Sequence, residues 1–241
     1  MAEKPTASQL NKLGERLRKG TSTDDDIRAL NDYRESFRQA YEQAVKVLES
    51  LDLDVGGRSA KTVGSIVAKL AREKTRLSTM QDIAGCRVEV SNRLEQDRIV
   101  GEIVNLFPGC KVDDRRARPS HGYRAVHVIV EVDGCPVEIQ VRTTLQNAWA
   151  QTTERLADRI DPAIKYGVGS DEVVARLAMA SETVQEIEED EIKLMGFQGL
   201  DLDENGKILL EFTEQLLAHR KELLHQILEK LILSITGEAR D

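Results

Sequence analysis

The stretch at residues 124–143, RAVHVIVEV-DG-CPVEIQVRT, decides the fold of this chain. It contains two runs in which apolar and polar residues alternate, separated by Asp133-Gly134. An Asp-Gly pair between two such runs is typical of a β-hairpin with a two-residue turn. The stretch therefore predicts two antiparallel strands in which Val132 pairs with Cys135.

The predicted pairing gives the hairpin an apolar face and a polar face, because side chains alternate along a strand. The polar face brings together His127, Glu138, Gln140 and Arg142, with Tyr123 on the same side. A solvated sheet surface is one interpretation of this face. The mixture of imidazole, carboxylate, amide and guanidinium groups favours a binding or catalytic site. The apolar face consists of Val126, Val128, Val130, Val137, Ile139 and Val141.

Helices are predicted upstream of the hairpin. Residues 8–50 have the spacing of two helices, the second beginning after Thr23. Gly56-Gly57 interrupts the helical pattern, and Ser59 can cap a further helix.

Alternation predicts a strand at residues 86–90, followed by an amphipathic helix at 93–107 and a short strand at 110–114. Beyond the hairpin, helices are predicted over residues 171–194 and 207–236. The mixture of helices with an antiparallel hairpin predicts an α+β (α/β-like) fold, a mixed β-sheet with flanking helices.

Composition narrows the class of protein. The 241 residues are 40% hydrophobic and carry a net charge of −8. No apolar run is long enough for a membrane span, and the N-terminus lacks the apolar segment of a signal peptide. Cys86, Cys110 and Cys135 lack metal-ligand spacing, so we expect reduced core cysteines in a cytoplasmic protein. Basic patches at 58–76 and 111–124 suit a small anionic ligand better than a long polyanion.

Two polar features upstream of the hairpin each have two interpretations. Lys61, Ser65, Lys69 and Arg72 are spaced to share one helix face. This face is either solvated or able to neutralise a triphosphate. Asp82 either caps a turn or binds Mg²⁺, which prefers carboxylate and phosphate oxygens.

Three motifs together resemble those of the RelA/SpoT-type alarmone synthetases. They are DIAGCR at residues 82–87, HGYRAVH at 121–127 and VEIQVRT at 137–143. Asn147-Ala148-Trp149-Ala150 and Glu154 downstream, and Lys61, Ser65 and Lys69 upstream, are also similar to the family pattern. The resemblance covers roughly residues 30–167 and implies a small, synthetase-only member.

The resemblance implies a nucleotidyltransferase-like catalytic domain at residues 55–167, between a helical segment at 1–54 and a helical extension at 168–241. It implies transfer of pyrophosphate from ATP to the 3′-hydroxyl of GDP or GTP, giving AMP and (p)ppGpp. Asp82 and Glu138 would hold Mg²⁺, and Glu138 would take the proton of that hydroxyl.

Binding roles also follow from the resemblance. ATP would be bound by Arg58, Lys61, Ser65, Lys69, Arg72 and Arg87. The acceptor would be bound by Tyr123, Arg124, His127, Gln140, Arg142, Asn147 and Glu154. The chain departs from the family pattern at Arg58, which lies three positions before Lys61, and at Arg155, where many members have histidine.

Two other functions remain open at this point. A toxic relative of the family could act on adenine nucleotides or on the 3′ end of tRNA, and a silent relative could only bind nucleotides or RNA. The presence of Asp82 and Glu138, the expected catalytic residues, counts against a relative that lacks catalytic activity. The acidic balance counts against tRNA, although the cluster of Arg115, Arg116 and Arg118 leaves room for it.

The last helix carries an apolar stripe. Leu210, Leu217, Leu224 and Leu231 recur every seven residues. The stripe either packs on its own domain or forms the interface of a homo-oligomer, and the family resemblance implies a tetramer. Leu216, Leu223 and Ile227 widen the stripe.

Overall fold

The computed structural model describes residues 5–236. The predicted segments 1–54 and 168–241 therefore include residues 1–4 and 237–241, which lie outside the described part. Three helices come first: α1 (Ala7–Lys19), α2 (Asp24–Glu35) and α3 (Arg38–Glu49). The middle of the chain contains β1 (Val55–Arg58), α4 (Val63–Glu73), β2 (Ala84–Val90), α5 (Arg93–Leu106), β3 (Lys111–Asp114), β4 (Val126–Val132) and β5 (Cys135–Thr143). Three helices complete the described chain: α6 (Thr144–Arg159), α7 (Asp171–Met195) and α8 (Glu204–Thr236).

The strands form one mixed five-stranded sheet in the order β1-β2-β5-β4-β3. With its flanking helices the fold is α+β, as predicted. The hairpin β4–β5 turns at Asp133 and Gly134, whose φ angles are 51° and 72°. Positive φ at both central residues is what a tight two-residue hairpin turn requires. The valines and isoleucine of the predicted apolar face are buried, which confirms the assignment of that face.

The N-terminal prediction of two helices is wrong, because a break at residues 36–37 separates α2 from α3. The hydroxyl of Ser36 donates to the carbonyl oxygen of Tyr33 at 2.7 Å, and the N–H of Phe37 donates to the carbonyl of Arg34 at 3.2 Å. A serine that bonds to the preceding turn competes with continuation of the helix.

Of two predictions near Gly56-Gly57, one is confirmed and one is wrong. The pair does interrupt the helices, but it lies within the edge strand β1, which pairs antiparallel with β2. A Cβ on Gly57 would lie 2.6 Å from the carbonyl oxygen of Gly85, so only glycine permits this approach. The cap of α4 is Thr62, and not Ser59, because the Thr62 hydroxyl accepts from the N–H of Ser65.

The chain divides into two compact units, each built from several segments. The described part of the first unit comprises residues 5–88, 101–113 and 127–140, and that of the second comprises 89–100, 114–126 and 141–236. The first unit contains α1 to α4, with Leu17, Leu70 and Leu77 buried. The second contains α6, α7 and α8.

The core of the second unit decides how α8 packs. Trp149 is buried in this core, and its indole N–H donates to the carbonyl oxygen of Leu177 at 2.8 Å, which ties α6 to α7. Leu217, Leu224 and Leu231 are buried in the same cluster, with Leu210 packed against it. The heptad leucines therefore pack on their own chain, which is the first of the two alternatives for this stripe. An oligomer interface on α8 stays a prediction. The exposed apolar residues of α8 include Leu209, Phe212, Leu216, Leu223 and Ile227.

The cysteines only partly follow the prediction. Cys86 and Cys135 are buried, but Cys110 is half-buried, so it is no core residue. All three are free thiols. Among the helices of the described chain, none has the length and apolar character that crossing a bilayer would need.

Candidate functional site

Asp82 lies between two lysine ammonium groups in the first unit. Lys61 Nζ is 2.7 Å from Asp82 Oδ2, and Lys69 Nζ is 2.9 Å from Oδ1. Burial by itself raises the pKa of Asp82, but the hydrogen bonds and charges of Lys61 and Lys69 outweigh it and lower that pKa to about 2. Asp82 is therefore an ionised carboxylate in a mostly buried setting, and no backbone amide of the described residues donates to it.

Lys61 reaches Asp82 from outside the helix that carries Lys69. It precedes α4, so the prediction that it shares a helix face with Lys69 is wrong. Its N–H donates to the carbonyl oxygen of Ile83 at 2.6 Å, and its own carbonyl accepts from Arg34 Nε at 2.6 Å. These two backbone bonds fix Lys61 beside the segment that carries Asp82. The two lysines thus converge on one carboxylate from different elements.

The other residues expected to bind ATP are also in the first unit. Ser65 is exposed, and its hydroxyl accepts from the Thr62 hydroxyl at 2.8 Å. Arg72 forms an ion pair with Glu73 at 2.7 Å. Arg58 is exposed at the end of β1, and Arg87 is half-buried on β2.

Glu138 is held by two neighbours on the hairpin. His127 Nδ1 lies 2.9 Å from Glu138 Oε1, and Gln140 Nε2 donates to Oε2 at 2.7 Å. Burial raises the pKa of Glu138 and so does the charge of Asp82, but the contacts with His127 and Gln140 lower it below its ordinary value. His127 and Gln140, expected to contact the acceptor, therefore lie against the carboxylate expected to act as the base.

The donor set of the first unit fits a hard divalent cation that keeps other ligands. Asp82 and Glu138 are two ionised carboxylates close enough for the charge of one to affect the other. Within the described chain, no three His, Cys, Asp or Glu side chains are grouped to hold a metal by themselves. Mg²⁺ commonly binds through one or two carboxylates, with water and substrate phosphates completing its shell.

In the second unit, Arg142 connects Tyr123 to Asn147. Arg142 Nη2 donates to Tyr123 Oη at 2.9 Å, and the guanidinium carbon lies 5.0 Å from the Tyr123 ring centroid. Arg142 Nη1 also contacts Asn147 Oδ1 at 3.4 Å. The amide nitrogen of Asn147 donates to Glu89 Oε2. The four side chains form a continuous polar chain from an aromatic ring to a carboxylate.

Tyr123 is positioned by the backbone that precedes it. Gly122 has a φ of 87°, and a Cβ there would lie 2.7 Å from Trp149 Cζ2. The Ser181 hydroxyl donates to the carbonyl oxygen of Gly122 at 2.6 Å. The glycine of the HGY motif thus allows close packing on a tryptophan.

Arg124 and Glu154, which the family resemblance also assigns to the acceptor, have surroundings that differ from those of the Tyr123–Arg142–Asn147 chain. Arg124 is buried, and its Nε atom donates to the Ser181 hydroxyl at 3.2 Å, while Nη1 donates to the carbonyl oxygen of Arg116. It connects α7 to the loop before β4. Glu154 is exposed on α6.

Sequence reasoning did not single out Glu89 or Ser181. Glu89 occupies an outward position of β2, where an acidic residue is ordinary, and Ser181 lies within a long helix. Neither carries a signal in the sequence, because their partners are 58 and 59 positions away.

The middle of the chain is similar to a known protein family. Residues 57–157 match the family described as "Region found in RelA / SpoT proteins". An uncharacterized protein of Mycobacterium tuberculosis is 39% identical over 125 residues, which are 50% of this chain and 46% of that protein. "Probable GTP diphosphokinase RSH3, chloroplastic" of Arabidopsis thaliana is 33% identical over 107 residues, which are 42% of this chain and 15% of that protein. The chain spans about half or less of these relatives.

A solved structure is similar over more of the chain. The crystal structure of small alarmone synthetase 1 from Bacillus subtilis has a TM-score of 0.51 and 28% sequence identity. The match covers 72% of this chain and 97% of that one. The match therefore covers a larger share of this chain than the family match to residues 57–157 does.

Proposed function

We propose that this chain, whose residues 57–157 form a RelA/SpoT-type region, transfers pyrophosphate from ATP to the 3′-hydroxyl of GDP or GTP. The products would be AMP and the corresponding guanosine 3′-pyrophosphate. The observation that carries the proposal is the convergence of Lys61 and Lys69 on Asp82, in the same unit as the ionised Glu138. Transfer of phosphoryl-type groups depends mainly on positioning and on neutralising charge.

The phosphates of ATP are expected near the two lysines. Lys61 and Lys69 each carry a compact positive charge, and both side chains are largely buried. Without a nucleotide their charges are balanced by Asp82. A triphosphate would give the ammonium groups a second set of anionic partners. Arg72 lies on α4 with Lys69, and Arg58 and Arg87 lie on the neighbouring strands β1 and β2.

Asp82 and Glu138 are the residues that would hold Mg²⁺. When bound, Mg²⁺ would supply charge neutralisation at the phosphate oxygens. Both carboxylates have a lowered pKa, so both are ionised at neutral pH and available as oxygen ligands.

Glu138 would receive the proton of the acceptor hydroxyl. The 3′-oxygen attacks the β-phosphorus of ATP, and the bond from that phosphorus to the oxygen bridging it to the α-phosphate breaks. AMP leaves with the bridging oxygen, and the hydroxyl proton passes to Glu138. His127 and Gln140 would orient this carboxylate, because they contact its two oxygens separately.

The acceptor nucleotide would be bound in the second unit. Tyr123 offers an aromatic ring for stacking, which contributes about 1–3 kcal/mol per base in nucleic-acid complexes. Arg142 contacts the ring and its hydroxyl, and is fixed in turn by Asn147. The ring of Tyr123 would bind the base of the acceptor.

The experiment is a direct transfer assay. The purified chain is incubated with ATP and Mg²⁺ together with GDP, GTP, ADP or tRNA in separate reactions, and the products are identified by mass. The expected result is AMP in equal amount to a guanosine nucleotide that has gained one pyrophosphate. Release of ADP and phosphate alone would contradict the proposal, and a pyrophosphorylated ADP or tRNA would replace the acceptor named here.

A further inference from the structure

The side-chain amide of Asn147 can have only one orientation. Its two ends face Arg142 and Glu89. A guanidinium only donates hydrogen bonds, and an ionised carboxylate only accepts them. The amide oxygen must therefore face Arg142 and the amide nitrogen must face Glu89. Because both ends already have protein partners, Asn147 is poorly placed to read a base edge on its own.

Glu89 lies at the end of this polar chain, and its carboxylate can accept further hydrogen bonds. It lies on the outward side of β2 and is exposed. Among the described residues its only hydrogen-bond partner is Asn147, which uses Oε2. A carboxylate accepts through two oxygens with about four lone-pair sites. The Glu89 carboxylate thus lies next to the Tyr123–Arg142–Asn147 chain and can still accept hydrogen bonds.

We propose that Glu89 makes the acceptor site selective for guanine, by accepting hydrogen bonds from the N1–H and 2-amino groups of the base. The inference rests on the proposed function, in which the base of the acceptor stacks at Tyr123. Guanine presents two adjacent donors on this edge, and they match the two oxygens of a carboxylate. The site would hold the base by its ring at Tyr123 and by its edge at Glu89.

The same carboxylate disfavours adenine. Adenine presents the lone pair of N1 where guanine presents a hydrogen, so a carboxylate facing it would meet an acceptor. A site built to bond a donor discriminates strongly against an analogue that lacks it, because the polar group of the protein is left unpaired. Hypoxanthine keeps the N1–H but lacks the 2-amino group, so inosine diphosphate should be bound with intermediate affinity.

The test compares GDP, inosine diphosphate and ADP on the full chain and on Glu89→Gln. Equilibrium binding by calorimetry is measured beside transfer kinetics, so that the base preference is read even where no transfer occurs. Glutamine can still accept the Asn147 bond through its amide oxygen, so the second unit should keep its fold. Glu131→Gln, which changes an exposed carboxylate on β4, is the matched control.

Glu89→Gln should weaken GDP binding about 10- to 100-fold, the loss expected for one bidentate base contact. The loss should appear in the GDP KM, with the ATP KM unchanged. Inosine diphosphate should lose less than GDP, and ADP should lose nothing. The Glu131→Gln control should match the unaltered chain.

Three results would overturn the inference. Equal losses for the three acceptors would mean that Glu89 only positions Asn147. Unchanged GDP binding in Glu89→Gln would mean that the carboxylate does not contact the base. An unaltered chain that binds ADP as tightly as GDP would exclude guanine selection. Tight, Glu89-dependent GDP binding without transfer would instead contradict the proposed function alone.

Discussion

Arg142 contacts Tyr123 twice, through a hydrogen bond of 2.9 Å to the phenol oxygen and through its guanidinium carbon 5.0 Å from the ring centroid. The arginine therefore fixes both the hydroxyl end and the orientation of the ring. Arginine side chains stack on aromatic faces, so this contact holds the ring for which base stacking is proposed above.

Tyr123→Ala is expected to raise the acceptor KM much more than the ATP KM. Removing the ring removes the stacking surface, so the acceptor KM should rise about 5- to 150-fold for a loss of 1–3 kcal/mol. Steady-state kinetics with each substrate varied in turn measures the effect. Tyr123→Phe is the control, because it keeps the ring and loses only the bond from Arg142. Equal rises of both KM values in Tyr123→Ala would show that Tyr123 does not belong to the acceptor site alone.

Glu138→Gln is expected to reduce transfer at least 100-fold while the chain stays folded. The amide has nearly the same shape, but it cannot take a proton and is a poor Mg²⁺ ligand. The measurement is product formation at saturating ATP and acceptor, with folding checked by thermal melting. Glu131→Gln alters an exposed carboxylate on the same hairpin and should retain full activity. Substantial product from a folded Glu138→Gln protein would remove Glu138 from the mechanism.

Gly122→Ala is expected to destabilise the protein by about 1–3 kcal/mol, because a positive φ at a residue with a side chain is strained. The new Cβ would also lie 2.7 Å from Trp149 Cζ2, so the backbone before Tyr123 must shift and the acceptor KM should rise. Denaturant unfolding and kinetics measure the two effects. Gly101→Ala, inside α5 with open space around the added Cβ, should instead stabilise the protein by about 1 kcal/mol.

Glu188 is expected to make the stability of the protein fall as pH rises. Burial raises the pKa of Glu188 above its ordinary 4.5, against the opposing hydrogen bonds of Thr143 and Gln146. The folded chain thus binds this proton more tightly than the unfolded chain does. The free energy of unfolding therefore decreases as pH rises from 4.5 through the raised pKa.

Glu188→Gln should remove this contribution to the pH dependence. Urea unfolding of both proteins at pH 4.5 and at neutral pH gives the comparison. Glu189→Gln, an exposed neighbour on α7, should retain the pH dependence of the unaltered chain. If Glu188→Gln loses as much stability between the two pH values as the unaltered chain does, then Glu188 is not the group responsible.

Leu216→Glu is expected to lower the native mass of the protein in solution. Leu209, Phe212, Leu216, Leu223 and Ile227 are exposed along α8, and exposed apolar stripes of this length commonly mark an interface. A charge in the middle of the stripe would be costly to bury between copies. Light scattering measures the mass, with Glu214→Gln on the same helix as the control. An unaltered chain that is monomeric at tens of micromolar would contradict an interface on this face.

The sequence by itself determined the hairpin and the location of its polar residues. The alternation of apolar and polar residues along β4 and β5 is a local feature, and so is the Asp-Gly turn. The buried face of the hairpin and the opposite face, which carries Glu138, therefore follow from the sequence pattern. The long helices were also predictable, because a helical stripe repeats within one segment. Local rules failed where glycines make a close contact with a distant strand, as at Gly57.

Only the tertiary structure decided which groups became partners. The pairing of Asp82 with Lys61 and Lys69, and of Asn147 with Glu89, depends on segments brought together by packing. It also decided which part of the broad apolar stripe of α8 is buried, since the heptad leucines pack on their own chain while Leu216, Leu223 and Ile227 are exposed. The physical reason is that periodicity reports the residues sharing a face, whereas the partner of that face is chosen by contacts between distant segments.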